Sequence, residues 1–500
     1  MEAGYPRYLL YGLLILGSWL VSFSLHFQFV HIYLLSSEPR SGPALVVLRP
    51  SVPIALDATL PRAPSTIGAD ENGRPSSVAS SPASCEGRYV YMLDVPSRFD
   101  VLSGCVEGAP AFQDEYSMCS LLVNAGMGPV LPPATGDGSD GDTGVIPQTG
   151  WYNTYQYALE VIVHNRMRRY ECLTDDPAAA TAVYVPYYPA LELQEHICDL
   201  NYTVRSGPSS EFLRWLSSRP QWAAFGGRDH FMVAAKTSWM FRKDATGACG
   251  NDFLEHPESG NMTVLTYESN IWEPRNREYA VPYPSYFHPK SAGEVAAWQD
   301  RARAAERPWL FAFTGARRAN GTLVIRDRIM DSCASSSRCR LVDCSHGIQG
   351  SKTCQSPRTV VSAFAASRFC LQPRGDSFMR RSSVDAIMAG CIPVFFHEGS
   401  TFQKQYRWHH PDPDGSDRRY SVLMDADEIL EGKVDIEEVL ASYTDEEVAA
   451  MREEVIKMIP RFLYEDPRAR FHGDMRDAFD ISFDAVMGRV SRIKNGEDLG

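Results

Sequence analysis

The chain has 500 residues, 44% hydrophobic and 22% charged, with a formal net charge of −13. A single hydrophobic core stops growing near roughly 250–300 residues, so two globular units are expected. The acidic balance excludes a general nucleic-acid binder, whose surface must neutralise phosphates, yet it leaves room for a local basic pocket.

The first element is the run from Tyr8 to Val30, which holds no Asp, Glu, Lys or Arg. A bilayer-spanning helix needs about 20 such residues. The run is long for a signal-peptide core, and no clean small-x-small cleavage site follows it, so an uncleaved anchor is expected. Arg7 and the N-terminal amine precede it and favour a cytoplasmic N-terminus. Residues 1–7 are then a cytoplasmic tail and 8–30 the anchor. Sequons at Asn201, Asn261 and Asn320 agree with a lumenal remainder. The twelve cysteines are ambiguous by themselves; in that compartment the cluster Cys333, Cys339, Cys344 and Cys354 reads as local disulfides, and the sequence does not give their pairing. No C-x-x-C pair supports zinc instead. Residues 31–84 are rich in Pro, Ser, Ala and Gly and read as a disordered stem.

Order begins near Cys85. Tyr89 to Leu93 is the first predicted strand, and Gly126 to Gly150 is a Gly- and Pro-rich loop. A helix is predicted over Tyr155 to Arg169. Strands follow at Ala182–Pro186, Trp222–Phe225, Val264–Tyr267 and Tyr279–Val281, with a helix over Glu211–Leu216. A second unit starts near Ser291 with a helix to Glu306 and a strand from Trp309 to Phe313. Strands at Arg340–Val342, Phe369–Leu371 and Ile392–Phe396 then alternate with helices. Asp435 to Tyr464 is helical and amphipathic. This alternation implies βαβ units and parallel sheets. The expected architecture is α/β, with two Rossmann-like domains, 85–290 and 291–490, facing a cleft.

Most of the chemistry sits between Phe369 and Val394. A strand ends at Pro373, a Gly375-Asp376-Ser377 turn follows, and Arg380 and Arg381 come next. Ser382 or Ser383 is placed to cap a helix carrying Asp385, which Gly390 ends. Such a layout suits a nucleotide diphosphate: glycine admits close approach, helix amides favour anions, and arginine matches phosphate geometry. A helical carboxylate can hold ribose hydroxyls.

This segment resembles the C-terminal signature of the exostosin-like glycosyltransferases, family 47, and more narrowly the plant xyloglucan galactosyltransferases. Further matching stretches are Tyr91–Phe99, Trp151–Tyr157, Gly227–Phe231, Val281–Pro289 and Phe313–Arg318. The likeness covers Gly87 to Phe479. It implies a GT-B fold, an inverting transfer from UDP-galactose to xylose side chains of xyloglucan, and a type II Golgi topology. Complexes with other Golgi glycosyltransferases are expected. By motif position, Asp385 takes the ribose role and Arg317 and Arg318 the diphosphate. Gly375, Asp376 and Ser377 line the donor pocket, with Arg380 and Arg381 as lesser candidates.

Inverting transfer needs a base for the acceptor hydroxyl. Asp229 and His230 are its first candidates, in a turn expected to follow a strand. Glu278 and His164 come after them. Asp140-Gly141-Asp142 and Asp412-Pro413-Asp414 lie in loops, and Asp425-Ala426-Asp427 reads as a helix cap. Trp408-His409-His410 would face opposite ways on a strand. No cofactor beyond the UDP-sugar and no obligatory metal are expected. The aromatics of Trp151–Tyr157 and Tyr283–Phe287 suit either sugar stacking or core packing. A glycoside hydrolase would need two carboxylates and no phosphate site. A non-catalytic glycan binder would have no affinity for UDP. Transfer of galacturonic acid or arabinose to xyloglucan, or of galactose to mannan, would need few pocket changes.

Overall fold

The computed structural model describes residues 85–105, 117–133, 145–271, 277–317, 324–345, 347–411, 419–469 and 475–497. The expected anchor and stem, Arg318, Asn320, Asp140–Asp142 and Asp412–Asp414 lie outside them. Among the described residues no helix is long and apolar enough to cross a membrane.

The chain folds as α/β around two parallel sheets. The first contains β1 (Val90–Met92), β2 (Leu173–Thr174), β3 (Ala182–Tyr184), β4 (His230–Val233), β5 (Thr263–Thr266) and β6 (Glu278–Ala280). The second contains β7 (Trp309–Gly315), β8 (Cys339–Asp343), β9 (Ser367–Gln372), β10 (Ile392–Phe395) and β11 (Val422–Leu423). β4, β5 and β10 are buried along their whole length, the pattern of parallel sheets covered on both faces.

Strand order decides where ligands can sit. The first sheet runs β2-β1-β3-β4-β5-β6 and the second β11-β10-β9-β7-β8. Both reverse direction once, between β1 and β3 and between β7 and β9. In the first sheet Met92 pairs with Tyr184, and in the second Ala312 pairs with Cys370. In open α/β sheets ligands gather beyond the carboxyl ends of strands, at such switch points. In the second sheet these ends are Gly315 and Gln372. Gln372 leads directly into the Gly375-Asp376-Ser377 turn.

Helices that position the site are α1 (Leu159–Arg168), α2 (Pro189–His196), α3 (Tyr202–Ser217), α4 (Pro220–Phe225), α5 (Ala292–Ala304), α6 (Val324–Ser335), α7 (Pro357–Ala365), α8 (Arg381–Met388), α9 (Asp445–Phe462) and α10 (Ala478–Lys494). α10 returns to the first sheet. Phe483 packs on Tyr170 and Phe231, and Arg489 donates to the Tyr279 hydroxyl at 2.8 Å.

Several expectations are corrected. Trp222–Phe225 is helix α4, not a strand. Pro220 occupies its first turn and Gly226, at φ +60°, closes it, and these two signals outweigh the β-prone composition. The turn holding Asp229 and His230 therefore follows a helix and leads into β4. Neither Ser382 nor Ser383 caps α8. Arg380 is its N-cap, and the Ser383 hydroxyl bonds back to the Arg380 carbonyl at 2.6 Å. The helical stretch from Asp435 breaks at Ser442, and Thr444 with Glu447 forms a capping box that starts α9.

All twelve cysteines are paired: Cys85–Cys172, Cys105–Cys119, Cys198–Cys249, Cys333–Cys339, Cys344–Cys354 and Cys370–Cys391. The last joins β9 to the entry of β10.

Candidate active site

A cavity of roughly 270 Å³ opens where the strand ends of the two sheets meet. From the second sheet it is lined by Arg374, Gly375, Asp376, Ser377 and Phe378, the loop after β9. From the first it is lined by Ser238, Trp239 and Arg242, beyond β4, and by Glu268 to Ile271, beyond β5. Both walls thus come from carboxyl ends of parallel strands, which supply the loops while the sheets fix their positions.

Glu268 is the buried carboxylate of this cavity, 5% exposed. It accepts the Met379 amide at 2.6 Å, so it also ties the loop after β9 to the first sheet. Burial pushes it up to about 7, against the lowering effect of the Met379 and Phe378 amides. A carboxylate tuned near neutrality at a cleft is suited to take a proton from a hydroxyl.

Beneath the loop lies Arg326, on α6 and 5% exposed. Its Nε donates to the Arg374 carbonyl at 3.2 Å. A Cβ at Gly375 would stand 2.7 Å from its Nη2, so glycine is what leaves this guanidinium room at the loop. Lys236 is buried after β4. It donates to Gln194 Oε1 at 2.7 Å and sits 3.6 Å above the Tyr157 ring. Burial pulls it down to about 7, opposed by Glu160. Tyr157 is raised by burial first and then by the nearby Asp376 carboxylate.

The remaining predicted residues have other partners. Arg317 folds back onto α6, where it pairs with Asp331 and donates to the Asp327 carbonyl at 3.4 Å. Asp385 is buried and accepts the Ser285 hydroxyl at 2.9 Å; burial pushes it up to about 6. Arg381 donates to the Thr154 carbonyl at 2.6 Å and lies 3.7 Å over the Tyr286 ring. Ser285 and Thr154 belong to the two aromatic stretches, whose Trp151 and Phe287 stack at 5.1 Å. Trp151, Tyr152, Tyr283, Tyr286 and Phe287 are core, whereas Tyr155 and Tyr157 are half-buried against it; the two stretches join α8 to the first sheet. His164 is buried, shares a 2.5 Å hydrogen bond with the Tyr188 hydroxyl, and is lowered to about 3 by burial. Asp425 accepts the Asp427 amide at 2.8 Å, as a helix cap does. His409 bonds the Ala478 carbonyl at 3.1 Å. Asn201 caps α3 and Asn261 is exposed at the end of a short helix.

Asp229 and His230 lie at the amino end of β4, opposite the strand ends that form the cavity. His230 Nδ1 is 2.8 Å from Asp229 Oδ1, and Lys494 on α10 is 3.6 Å from Asp229 Oδ2. The pair fastens the C-terminal helix to the first sheet. Asp229→Asn is therefore expected to leave turnover at the wild-type value and to lower the melting temperature by a few degrees. A large loss of turnover with unchanged melting would return the base to this turn. Glu278 opens β6 and is held by Arg242 and, at 3.3 Å, by the Asn270 amide.

The Exostosin GT47 domain matches residues 84–440. The chain is 39% identical over 414 residues to "Xyloglucan galactosyltransferase MUR3" of Arabidopsis thaliana, covering 82% of this chain and 63% of that protein. It thus spans just under two thirds of that relative's length. It is 38% identical to "Probable xyloglucan galactosyltransferase GT15" of the same organism, covering 84% of this chain and 86% of that protein. It is 35% identical to "Xyloglucan-specific galacturonosyltransferase 1", again from Arabidopsis thaliana, covering 82% and 58%.

Proposed function

The chain belongs to the Exostosin GT47 family of glycosyltransferases, and on that premise we propose that it transfers galactose from UDP-galactose to xylose side chains of xyloglucan, with inversion. The names of its relatives support this choice of donor and acceptor. One structural observation carries the reading. The Gly375-Asp376-Ser377 loop and the buried Glu268 face a common cavity from two different sheets. The two sheets act as a GT-B pair, the second holding nucleotide and the first acceptor.

In this reading Arg326, Arg374 and the amides of the α8 N-terminus face the diphosphate. The acceptor hydroxyl enters beside Glu268, which removes its proton as the oxygen attacks the anomeric carbon. The bond to the diphosphate breaks on the opposite side, and UDP leaves with the electron pair. Asp385 acts through α8, which its bond to Ser285 holds in place. We place the enzyme in the Golgi membrane as a single-pass type II protein, its catalytic part lumenal and glycosylated at its sequons; the uncharged run of Tyr8–Val30 and the paired cysteines support that topology.

The test is a transfer assay with the purified protein, UDP-galactose and defined xyloglucan oligosaccharides. One β-linked hexose is expected on a xylose residue, with inhibition by UDP. Release of free sugar from the oligosaccharide without any nucleotide would instead indicate a hydrolase.

A further inference from the structure

Two aromatic rings line the cavity, Trp239 on the first-sheet wall and Phe378 on the loop after β9. Phe378 is taken up by its neighbours: the His397 ring lies 4.7 Å from it and the Arg374 guanidinium 5.8 Å above it. Trp239 is half-buried. The Lys243 ammonium lies 4.7 Å from its ring centroid, and among the described residues no aromatic ring packs on it. Its Nε1 is buried, so carbon is what the indole can show to the cavity. The chain holds the ring at the wall. Trp239 belongs to a one-turn 3₁₀ helix, Ser238–Phe241, whose Phe241 is fully buried edge-on to Phe253 at 5.6 Å. The same segment is tied to the proposed base: Thr237 bridges to Glu268, and the Ser238 amide donates to the Glu268 carbonyl at 3.1 Å. Indole and carboxylate thus share one wall, beyond the paired strands β4 and β5.

We propose that Trp239 is the stacking platform for the acceptor, receiving the C–H face of the pyranose ring that offers its hydroxyl to Glu268. This deepens the proposed function and rests on it. A xylopyranose side chain holds its free hydroxyls equatorially and has no hydroxymethyl group, so it presents a C–H face that an indole can cover. Stacking leaves those hydroxyls pointing sideways along the wall on which Glu268 stands. In the proposed reading the nucleotide occupies the other wall, at Arg374 and Gly375, which leaves the indole to the acceptor.

The experiment measures steady-state kinetics of the wild-type protein, Trp239→Leu and Trp239→Phe with UDP-galactose and a defined xyloglucan oligosaccharide, each varied in turn. UDP affinity is followed by calorimetry. Trp239→Leu is expected to raise KM for the oligosaccharide about tenfold, the scale of one ring's lost burial and stacking. Its kcat, its KM for UDP-galactose and its UDP affinity are expected to stay near the wild-type values, because the indole contributes binding and touches no reacting bond. Trp239→Phe keeps an aromatic face and is expected to retain most of the affinity for the oligosaccharide. Equal losses in both variants would make the residue a packing support and overturn the proposal, as would an unchanged oligosaccharide KM in Trp239→Leu. A rise in KM for UDP-galactose in its place would put the donor's sugar on the ring and overturn it too. A wild type that binds UDP but transfers nothing to the oligosaccharide would overturn the proposed function, and the platform with it.

Discussion

Glu268→Gln is expected to lower turnover by about 10²–10⁴-fold while UDP binds normally, because only the proton transfer is lost. The substitution keeps the side chain's size and an oxygen to accept the Met379 amide, so the donor loop keeps its tie to the first sheet. The pH profile adds an independent readout. Burial raises Glu268 to about 7, and the base works only when ionised. The wild-type kcat/KM is therefore expected to rise as pH increases through 7 and to level above it. A residual pH-independent activity is expected for the variant. Rapid-quench turnover at saturating donor and acceptor is the measurement. A variant within a fewfold of wild type would move the base elsewhere.

Arg326→Ala is expected to weaken UDP by ten- to a hundredfold and to leave uridine unchanged. A charge-assisted hydrogen bond contributes about 1.5–3 kcal/mol, and uridine lacks the charge that would use it. Arg326→Lys should recover part of the loss, since it keeps the charge without the planar fork. Arg326 also holds the Arg374 carbonyl, so the uridine control separates loss of phosphate contact from collapse of the loop. Calorimetric titration of both ligands decides. Equal weakening of UDP and uridine would make Arg326 a structural support only.

The strand–turn–helix–strand layout of the proposed donor half was readable because its signals are local. The strand, glycine turn, arginines, helix and Gly390 follow one another between Phe369 and Val394, and each follows from short-range geometry. The acceptor half was not readable in that way. Glu268 stands in Thr266-Tyr267-Glu268-Ser269, with no spacing to mark it. It becomes a candidate only once β5 ends beside β9 across the cavity. Lys236 is equally plain in sequence, and its depression to about 7 comes from burial that no local pattern shows. Arg326, in Ile325-Arg326-Asp327-Arg328, looks like a surface charge on a helix. Its glycine partner lies 49 residues away, close to the 48-residue separation of its bond to Arg374. The expectation that the Asp229–His230 turn follows a strand failed on one element. Trp222-Ala223-Ala224-Phe225 has strand-like composition, but Pro220 and Gly226 make it a helix. That shift moved the pair from the carboxyl end of a strand to the amino end of the next.

The central claim is that nucleotide binds at the loop after β9, facing Glu268. Hydrogen exchange read by mass spectrometry, with and without saturating UDP, tests it most directly. Binding is expected to slow exchange of the amides from Arg374 to Ser383 and of the α6 segment that carries Arg326, and to leave Gly226–His230 unchanged. Protection centred on the Gly226–His230 turn, with none in the Arg374–Ser383 loop, would contradict the account.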